Sequence, residues 1–372
     1  MLKIKKYWVI ISLISIVLMA GCGNKPNEPE ILEPRWKLIS HFGEERITQL
    51  HVNELNNQLS VTSKDKFSII YSGSVEPAVT ADLQNPTHDC YNYIPFITDE
   101  YYFYCNVNGQ YLHIGSNSTG ELIGSIPINA IVDSVDLPAQ FTRSQGFYYS
   151  NHIKYHDGMY MISIRHLAIP QDDWLYFGQF DFSGDEPAFL ITKKIRAYEE
   201  YSTTSVWVNG NYYYGGYFWQ YRSDNFNPSV CAVNETDLSV IYTDFGLIIR
   251  NVYEYYDYLL GFFDGPVKKS YDGGFTWEDW ICLNAPWNHV LVDGVDVLFF
   301  SHNLGSINFD TLETANYENG ELHSHCIVVM AEFDNKVFAG TLDGLYYCAL
   351  EDFFIPISTT GTREIIDLQI RD

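Results

Sequence analysis

The stretch Gly261–Trp277, GFFDGPVKKSYDGGFTW, decides how the chain is read. Asp264-Gly265 lies between the apolar runs Gly261-Phe262-Phe263 and Pro266-Val267. An Asp-Gly pair in that setting signals a tight hairpin, because glycine takes positive φ at no steric cost. A second turn follows at once, Ser270-Tyr271-Asp272-Gly273-Gly274-Phe275-Thr276-Trp277. Here Asp272 can accept hydrogen bonds from the turn's own amides and from the Ser270 or Thr276 hydroxyl. Gly273 or Gly274 supplies the left-handed residue. Trp277 opens the next strand, where it can bury a large apolar area between neighbouring sheets. The stretch therefore reads as the outer hairpin of an antiparallel β-sheet.

The same grammar runs through the chain. An apolar strand, a turn of Asp, Asn, Gly or Glu, and a second apolar strand recur at Asn56-Asn57, Asp99-Glu100, Asp157-Gly158 and Asn209-Gly210. They return at Asp257, Asp293-Gly294 and Asp334-Asn335. The spacing, roughly forty to fifty residues, is that of a repeat built from four short strands with variable loops. One unit carries an insertion around Ala168–Asp173. Gly261–Gly265 also aligns with Gly340–Gly344, which predicts the same Asp-Gly turn between the second and third strands of both units. A generic all-β sandwich is the alternative. Radial repetition of four-stranded sheets protects edges that a flat array would leave open. The expected fold is thus an all-β, single-domain β-propeller over residues 35–372 with seven four-stranded blades, six or eight being the alternatives. The last strand, Glu364–Leu368, is expected to pair with early strands and close the ring.

Ser270, Asp272, Gly274, Thr276 and Trp277 match, position for position, the S-x-D-x-G-x-T-W Asp-box of the sialidase-like (BNR-repeat) propellers. The resemblance implies that the box is structural and sits at the blade periphery, away from the active face. The sialidases of that family grip a carboxylate with three arginines and use a Tyr–Glu nucleophile pair with an Asp acid. Their opening Arg-Ile-Pro or Arg-Leu-Pro is replaced here by Pro34-Arg35-Trp36. Arg165, Arg222 and Arg250 fall in successive units, but their flanks carry no family signature, and no catalytic residue is assigned. A glycan-active, sialidase-like hydrolase is the alternative to a binding role.

Composition narrows the partners. Aromatic residues make up 16% of the 372, including 29 Tyr and 23 Phe, and such residues suit a pleated, half-buried surface. The formal charge is −25. Removing residues 1–21 leaves 19 basic residues against 47 acidic ones, a charge near −28. That field repels phosphate backbones, which excludes nucleic acid as a partner. No calcium loop, phosphate-binding loop, G-x-S-x-G elbow or H-E-x-x-H is found, so no metal or cofactor is expected.

The N-terminus reads as an address. Lys3, Lys5 and Lys6 precede an apolar run, Tyr7–Met19, and then Ala20-Gly21-Cys22. Positive, apolar and small is the order of an export signal, and the apolar run is short for a membrane span. The cysteine after Ala20-Gly21 resembles the lipobox of bacterial lipoproteins, with Leu18 one place early. That resemblance implies cleavage after residue 21, acylation of Cys22 and anchoring to a bacterial membrane. Residues 22–34, polar and proline-rich, are expected to form a disordered tether.

Six further cysteines remain, and Cys90 and Cys105 flank one hairpin almost symmetrically, which makes them the pair proposed for a disulfide. His323 and His325 would share one face of a strand with Cys326 on the other, which argues against a common metal. The tyrosine-rich runs Tyr101–Tyr104 and Tyr212–Tyr214 read as core between sheets. Trp174, Trp219 and Trp287 are the better candidates for ligand contact. The expected role is a cell-envelope binding or scaffold module for a glycan or protein partner.

Overall fold

Each recurrent turn joins the first strand of a sheet to its second. The closing pairs are Asn53 with Gln58, Ile97 with Tyr102, His156 with Met159 and Val208 with Asn211. The rest are Tyr255 with Tyr258, Val292 with Val295 and Phe333 with Lys336. Three are two-residue turns with both central φ positive: Asp157-Gly158 (43° and 80°), Asp293-Gly294 (47° and 71°) and Asp334-Asn335 (53° and 57°). That mirror-image turn matches the right-handed twist of the flanking strands. Asp and Asn reach it because their short side chains tolerate the left-handed region.

In this computed structural model the described residues are 34–83, 95–106, 111–132, 148–166, 173–197, 199–208, 211–219, 226–234, 237, 239–244, 249–263, 266–274, 276–283, 288–357 and 368–370. Side chains of strand residues 148–152, 165–166, 173, 195–197, 199–208, 211–219, 226–233, 240–244 and 249–251 lie outside the description. The compact unit is Trp36–Asp372, an all-β propeller.

Six blades have four strands. Their first strands are Ile47–Asn53, Phe96–Ile97, Tyr148–His156, Glu199–Val208, Asn288–Val292 and Ile327–Phe333. The sheet that holds Asp272 runs Ile249–Tyr255, Tyr258–Phe263, Pro266–Ser270, Glu278–Leu283 and Leu368–Ile370, and so has five. The expectation of seven four-stranded blades is corrected accordingly: six sheets are four-stranded, and the remaining one gains a strand from the C-terminus. First strands lie side by side around the axis. Ile47–Asn53 contacts Phe96–Ile97 on one side and Ile327–Phe333 on the other. Phe96–Ile97 touches Tyr148–His156, which touches Glu199–Val208, which touches Ile249–Tyr255. Tyr253 meets His289 at 4.4 Å between ring centroids, and Asn288–Val292 returns to Ile327–Phe333.

The ring closes differently from the sequence expectation. Leu368–Ile370 pairs with Glu278–Leu283, not with early strands. Closure comes from the front of the unit, where Lys37 and Leu38 pair with Tyr347 and Tyr346 and complete the sheet begun by Ile327–Phe333. This added strand has only two residues, so its flanks must hold it. Trp36 is buried at 1% exposure, edge-on to Phe353 at 6.1 Å, and its amide donates to Glu321 Oε2 at 2.9 Å. Ile39 N donates to Leu345 O at 2.9 Å, and Phe42 is fully buried.

The predicted equivalence of the two Asp-Gly turns also fails. Thr341 pairs with Gly344, whereas Phe262, the residue aligned with Thr341, pairs with Val267. The turn centre therefore shifts by one residue against the sequence alignment. Strand pairing, not the Asp-Gly spelling, sets the register.

Between blades the core is aromatic. Phe67 stacks on Tyr102 at 4.0 Å and 11°, and Tyr102 Oη donates to Gly120 O at 2.9 Å. A Cβ on Gly115 would come within 2.1 Å of that Tyr102 ring, so the site tolerates only glycine. Replacing Trp36 by alanine removes the largest anchor of the closing strand. Denaturant unfolding of Trp36→Ala is expected to show a loss of about 3–5 kcal/mol, and an unchanged midpoint would remove Trp36 from that role.

Candidate functional site

Chain topology divides the propeller into two faces. In an antiparallel meander, the first-to-second and third-to-fourth turns share one face, and the remaining connections share the other. The first-to-second turns are short, as their closing pairs show. Connections between blades, such as residues 317–326, lie on the second face.

The turn built around Asp272 lies on the short-turn face. Ser270 Oγ donates to Asp272 Oδ1 at 2.9 Å, and Gly274 N donates to Ser270 Oγ at 2.8 Å. Thr276 gives both its amide, 2.9 Å to Oδ1, and its hydroxyl, 2.6 Å to Oδ2. Trp277 Nε1 donates to Gly274 O at 3.0 Å. Gly273 and Gly274 both have positive φ, 75° and 93°. The Trp277 ring lies over Gly261, where a Cβ would sit 2.6 Å from it, and edge-on to Phe263 at 6.1 Å. The structure thus brings Ser270, Asp272, Gly274, Thr276 and Trp277 into one closed knot. Asp272 is its hub, with Ser270 and Thr276 both donating to the carboxylate.

A cavity of about 590 Å³ opens on the same face, where three sheets meet. Val52, Glu54 and Asn57 come from the Ile47–Asn53 strand and its turn, and Ser72 from the third-to-fourth turn of that sheet. Glu332, Phe333 and Asp334 come from the neighbouring sheet, and Leu291 from the one beyond. Two of the acids also latch sheets together. Asp334 accepts from Ser72 Oγ at 2.7 Å, Gly73 N at 2.9 Å and Lys336 Nζ at 3.0 Å. These bonds, the Gly73 amide first, pull its carboxyl down to about 2. Glu332 Oε2 accepts from Asp293 N at 2.6 Å, across the other junction. Glu54 is exposed, and so is Leu291, at 57%. A volume of this size falls within the range of ligand pockets. Nothing in the residue types of these turns marks them as cavity-forming. The signal available beforehand was their shared place at the first-to-second strand junction.

On the other face, His325 bridges two connections. Its Nδ1–H donates to Asp343 Oδ2 at 2.7 Å, and Tyr346 Oη donates to Nε2 at 3.2 Å. His323 lies in the helical turn Gly320–Ser324, with Nδ1 3.0 Å from Gly320 O. The expected strand alternation of His323, His325 and Cys326 is therefore corrected: the stretch is a turn, and both His325 nitrogens are engaged. Among the described residues no cluster of three or more His, Cys, Asp or Glu is placed to hold a metal ion.

Other expectations fall as follows. Tyr102, Phe103 and Tyr104 are buried core. Trp174 is half-buried with the Lys194 ammonium 5.5 Å from its ring. Cys105 is buried on its strand, while Cys22, Cys90, Arg222 and Trp287 lie outside the described residues. Arg165, Arg250 and Trp219 lie on strands, with side chains outside the description. Among the described residues no helix is long and apolar enough to cross a membrane.

One residue escaped the sequence reading altogether. Lys154, on the innermost strand Tyr148–His156, places its ammonium 5.7 Å from the Phe96 ring of the adjacent sheet, and burial pulls its pKa down to about 8.

No family model matches the chain, and no curated protein matches it. Among solved structures, extracellular domains 1–2 of Drosophila Semaphorin 1a align at 10% identity and TM-score 0.50, over 86% of this chain and 88% of that one. The extracellular domain of the one-component system BT4673 of B. thetaiotaomicron aligns at 9% identity and TM-score 0.49, over 84% of this chain. PorZ, a surface component of the type-IX secretion system of Porphyromonas gingivalis, aligns at 8% and 0.48, over 88% of this chain. This chain covers 40% of the length of each of those last two. The Semaphorin likeness shows the propeller fold alone.

Two measurements test these assignments. Asp272→Ala strips the knot of its acceptor, and thermal unfolding is expected to report a loss of about 1–3 kcal/mol, with Trp277 fluorescence shifted to the red. For Lys154 the folded pKa is below the unfolded 10.5, so burial penalises folding fully below about 8 and the penalty fades as pH rises towards 10.5. Lys154→Met is therefore expected to raise the melting temperature at pH 7, with the gain narrowing between pH 8 and 10.5. A gain independent of pH would locate its origin in packing.

Proposed function

We propose that the chain is an exported, lipid-anchored binding or scaffold module of a bacterial cell envelope, whose partner is a glycan or another protein. The N-terminal order of Lys3, Lys5 and Lys6, the apolar run and Ala20-Gly21-Cys22 supports export and acylation at Cys22. The proline-rich residues 22–34 would set the propeller off the membrane. Ser270, Asp272, Gly274, Thr276 and Trp277 would serve as an Asp-box of the BNR-repeat kind, stabilising one blade, and their closed hydrogen-bond set fits that duty.

The observation that carries the binding reading is the 590 Å³ cavity, formed jointly by three sheets and flanked by the exposed Leu291 and Glu54. A ring of short, hydrogen-bonded turns holds such a surface in a fixed shape, and preorganisation lowers the cost of binding.

Two experiments test the proposal. Cys22→Ser is expected to abolish incorporation of labelled palmitate and to move the protein from the membrane to the soluble fraction; retained label would overturn the anchor. A glycan array, run alongside crosslinking in intact cells, is expected to yield a saturable partner. Silence in both would remove the binding role, and hydrolysis of a sialoside by the purified chain would replace it with the enzymatic alternative.

A further inference from the structure

The lining of the cavity specifies more than its existence. Its lining includes the apolar Val52, Phe333 and Leu291, the last 57% exposed, and the exposed Leu55 (85%) follows Glu54 in the chain. Its walls carry three carboxylates, Glu54, Glu332 and Asp334. The ammonium of Lys336 also reaches this corner, and it is bound to the Asp334 carboxylate and carbonyl. Glu332 holds the Asp293 amide through Oε2, and Glu54 stands exposed at the mouth. A pocket of this kind suits an apolar stem that ends in a positive charge. Lysine and arginine side chains have that form, burying their methylenes while the charged head meets a carboxylate. The first-to-second turns of the neighbouring sheets add Asp99, Glu100 and Asp293 to the same face, and Asp157 and Asp257 stand on it in more distant blades. Their neighbours are engaged: His51 Nε2 lies 3.0 Å from Asp99, and the Lys269 ammonium 3.6 Å from the centre of the Trp280 ring. A chain with a formal charge of −25 would also steer a basic partner towards this face.

Resting on the binding reading above, we propose that the cavity receives a lysine or arginine side chain from an extended, basic segment of a partner protein, with flanking apolar residues of that segment seated on Leu55 and Leu291.

The test uses the full-length chain and fluorescein-labelled nonapeptides of alternating Lys and Val, with alternating Glu and Val as the counterpart, read by anisotropy at physiological salt. Neutral oligosaccharides and spermidine form two further arms. Binding of the Lys–Val peptide is expected, weakened about five- to tenfold by Glu54→Gln and about threefold or more by Leu291→Ser. Asp185→Asn, which removes one exposed charge elsewhere, is expected to change it less than twofold. Equal losses in Glu54→Gln and Asp185→Asn would show attraction to diffuse charge and overturn the cavity. Binding of spermidine with the same sensitivity to Glu54→Gln, and none of the peptide, would overturn the protein partner. Binding of an oligosaccharide alone would overturn this inference and leave the binding role standing. Failure of every arm, with no partner found on the array or by crosslinking, would overturn both.

Discussion

The propeller depends on a strand of two residues. Each sheet buries its faces only against its neighbours, so the arrangement is stable only when the last sheet meets the first. Lys37 and Leu38 make that junction by pairing with Tyr347 and Tyr346. Two residues of ladder contribute little by themselves. What fixes them is the burial of Trp36 before and of Ile39 and Phe42 after, in cores shared with two sheets. The N-terminal strand thus ties residues from opposite ends of the unit into one blade, and any loss there opens the whole circle. The C-terminal strand, added outside Glu278–Leu283, lengthens one blade and closes nothing.

A second device recurs at the turns. Short acids and amides accept the amides that a tight turn leaves unpaired. Asp272 takes Thr276 N, Asp181 takes Ser183 N, Asn308 takes Asp310 N and Thr311 N, and Asn53 takes Asn56 N. Asp334 and Glu332 do the same across blade boundaries, which makes them mortar between sheets. Part of the acidity of the chain therefore has a structural purpose: at these places a carboxylate replaces a backbone partner that the geometry withholds.

Turn chemistry was the part of the fold legible in the sequence, because Asp-Gly and Asp-Asn spell their backbone conformation locally. The seven recurrent turns fell between first and second strands, while Asp343-Gly344 lies between a second and a third. Longer-range matters were not legible. The partner of the last strand depends on which edge is open in the assembled ring, and no local spelling reports that. The tyrosine run Tyr101–Tyr104 shows another limit. Its alternating pattern is hidden because a blade held between two neighbours buries both faces, leaving Tyr102, Phe103 and Tyr104 all in core. The register of Gly261–Gly265 against Gly340–Gly344 shifted because two similar strings closed on different pairs. The cavity was invisible for the same reason as the ring closure: its lining comes from three sheets far apart in sequence.

The two faces of the ring follow different rules, and this bears on where function sits. One face carries the connections between blades, such as residues 317–326, where length is unconstrained by turn geometry. Such loops are where propellers of any kind can vary. The other face carries short turns locked by their own hydrogen bonds, and resemblance to Asp-box propellers would make it the inert side. Yet the cavity opens there, beside Asp334 and Glu332. The rigidity that makes those turns poor material for variation makes them good walls. The Asp334 carboxylate is fixed in position by Ser72, Gly73 and Lys336, and a group so held is preorganised. On the proposed binding reading, structural bonds and recognition would share the same side chains on this face, so a change that weakens one would disturb the other. Glu54 is the exception, since it lines the mouth without latching a neighbouring turn, and it is the residue at which the two roles separate.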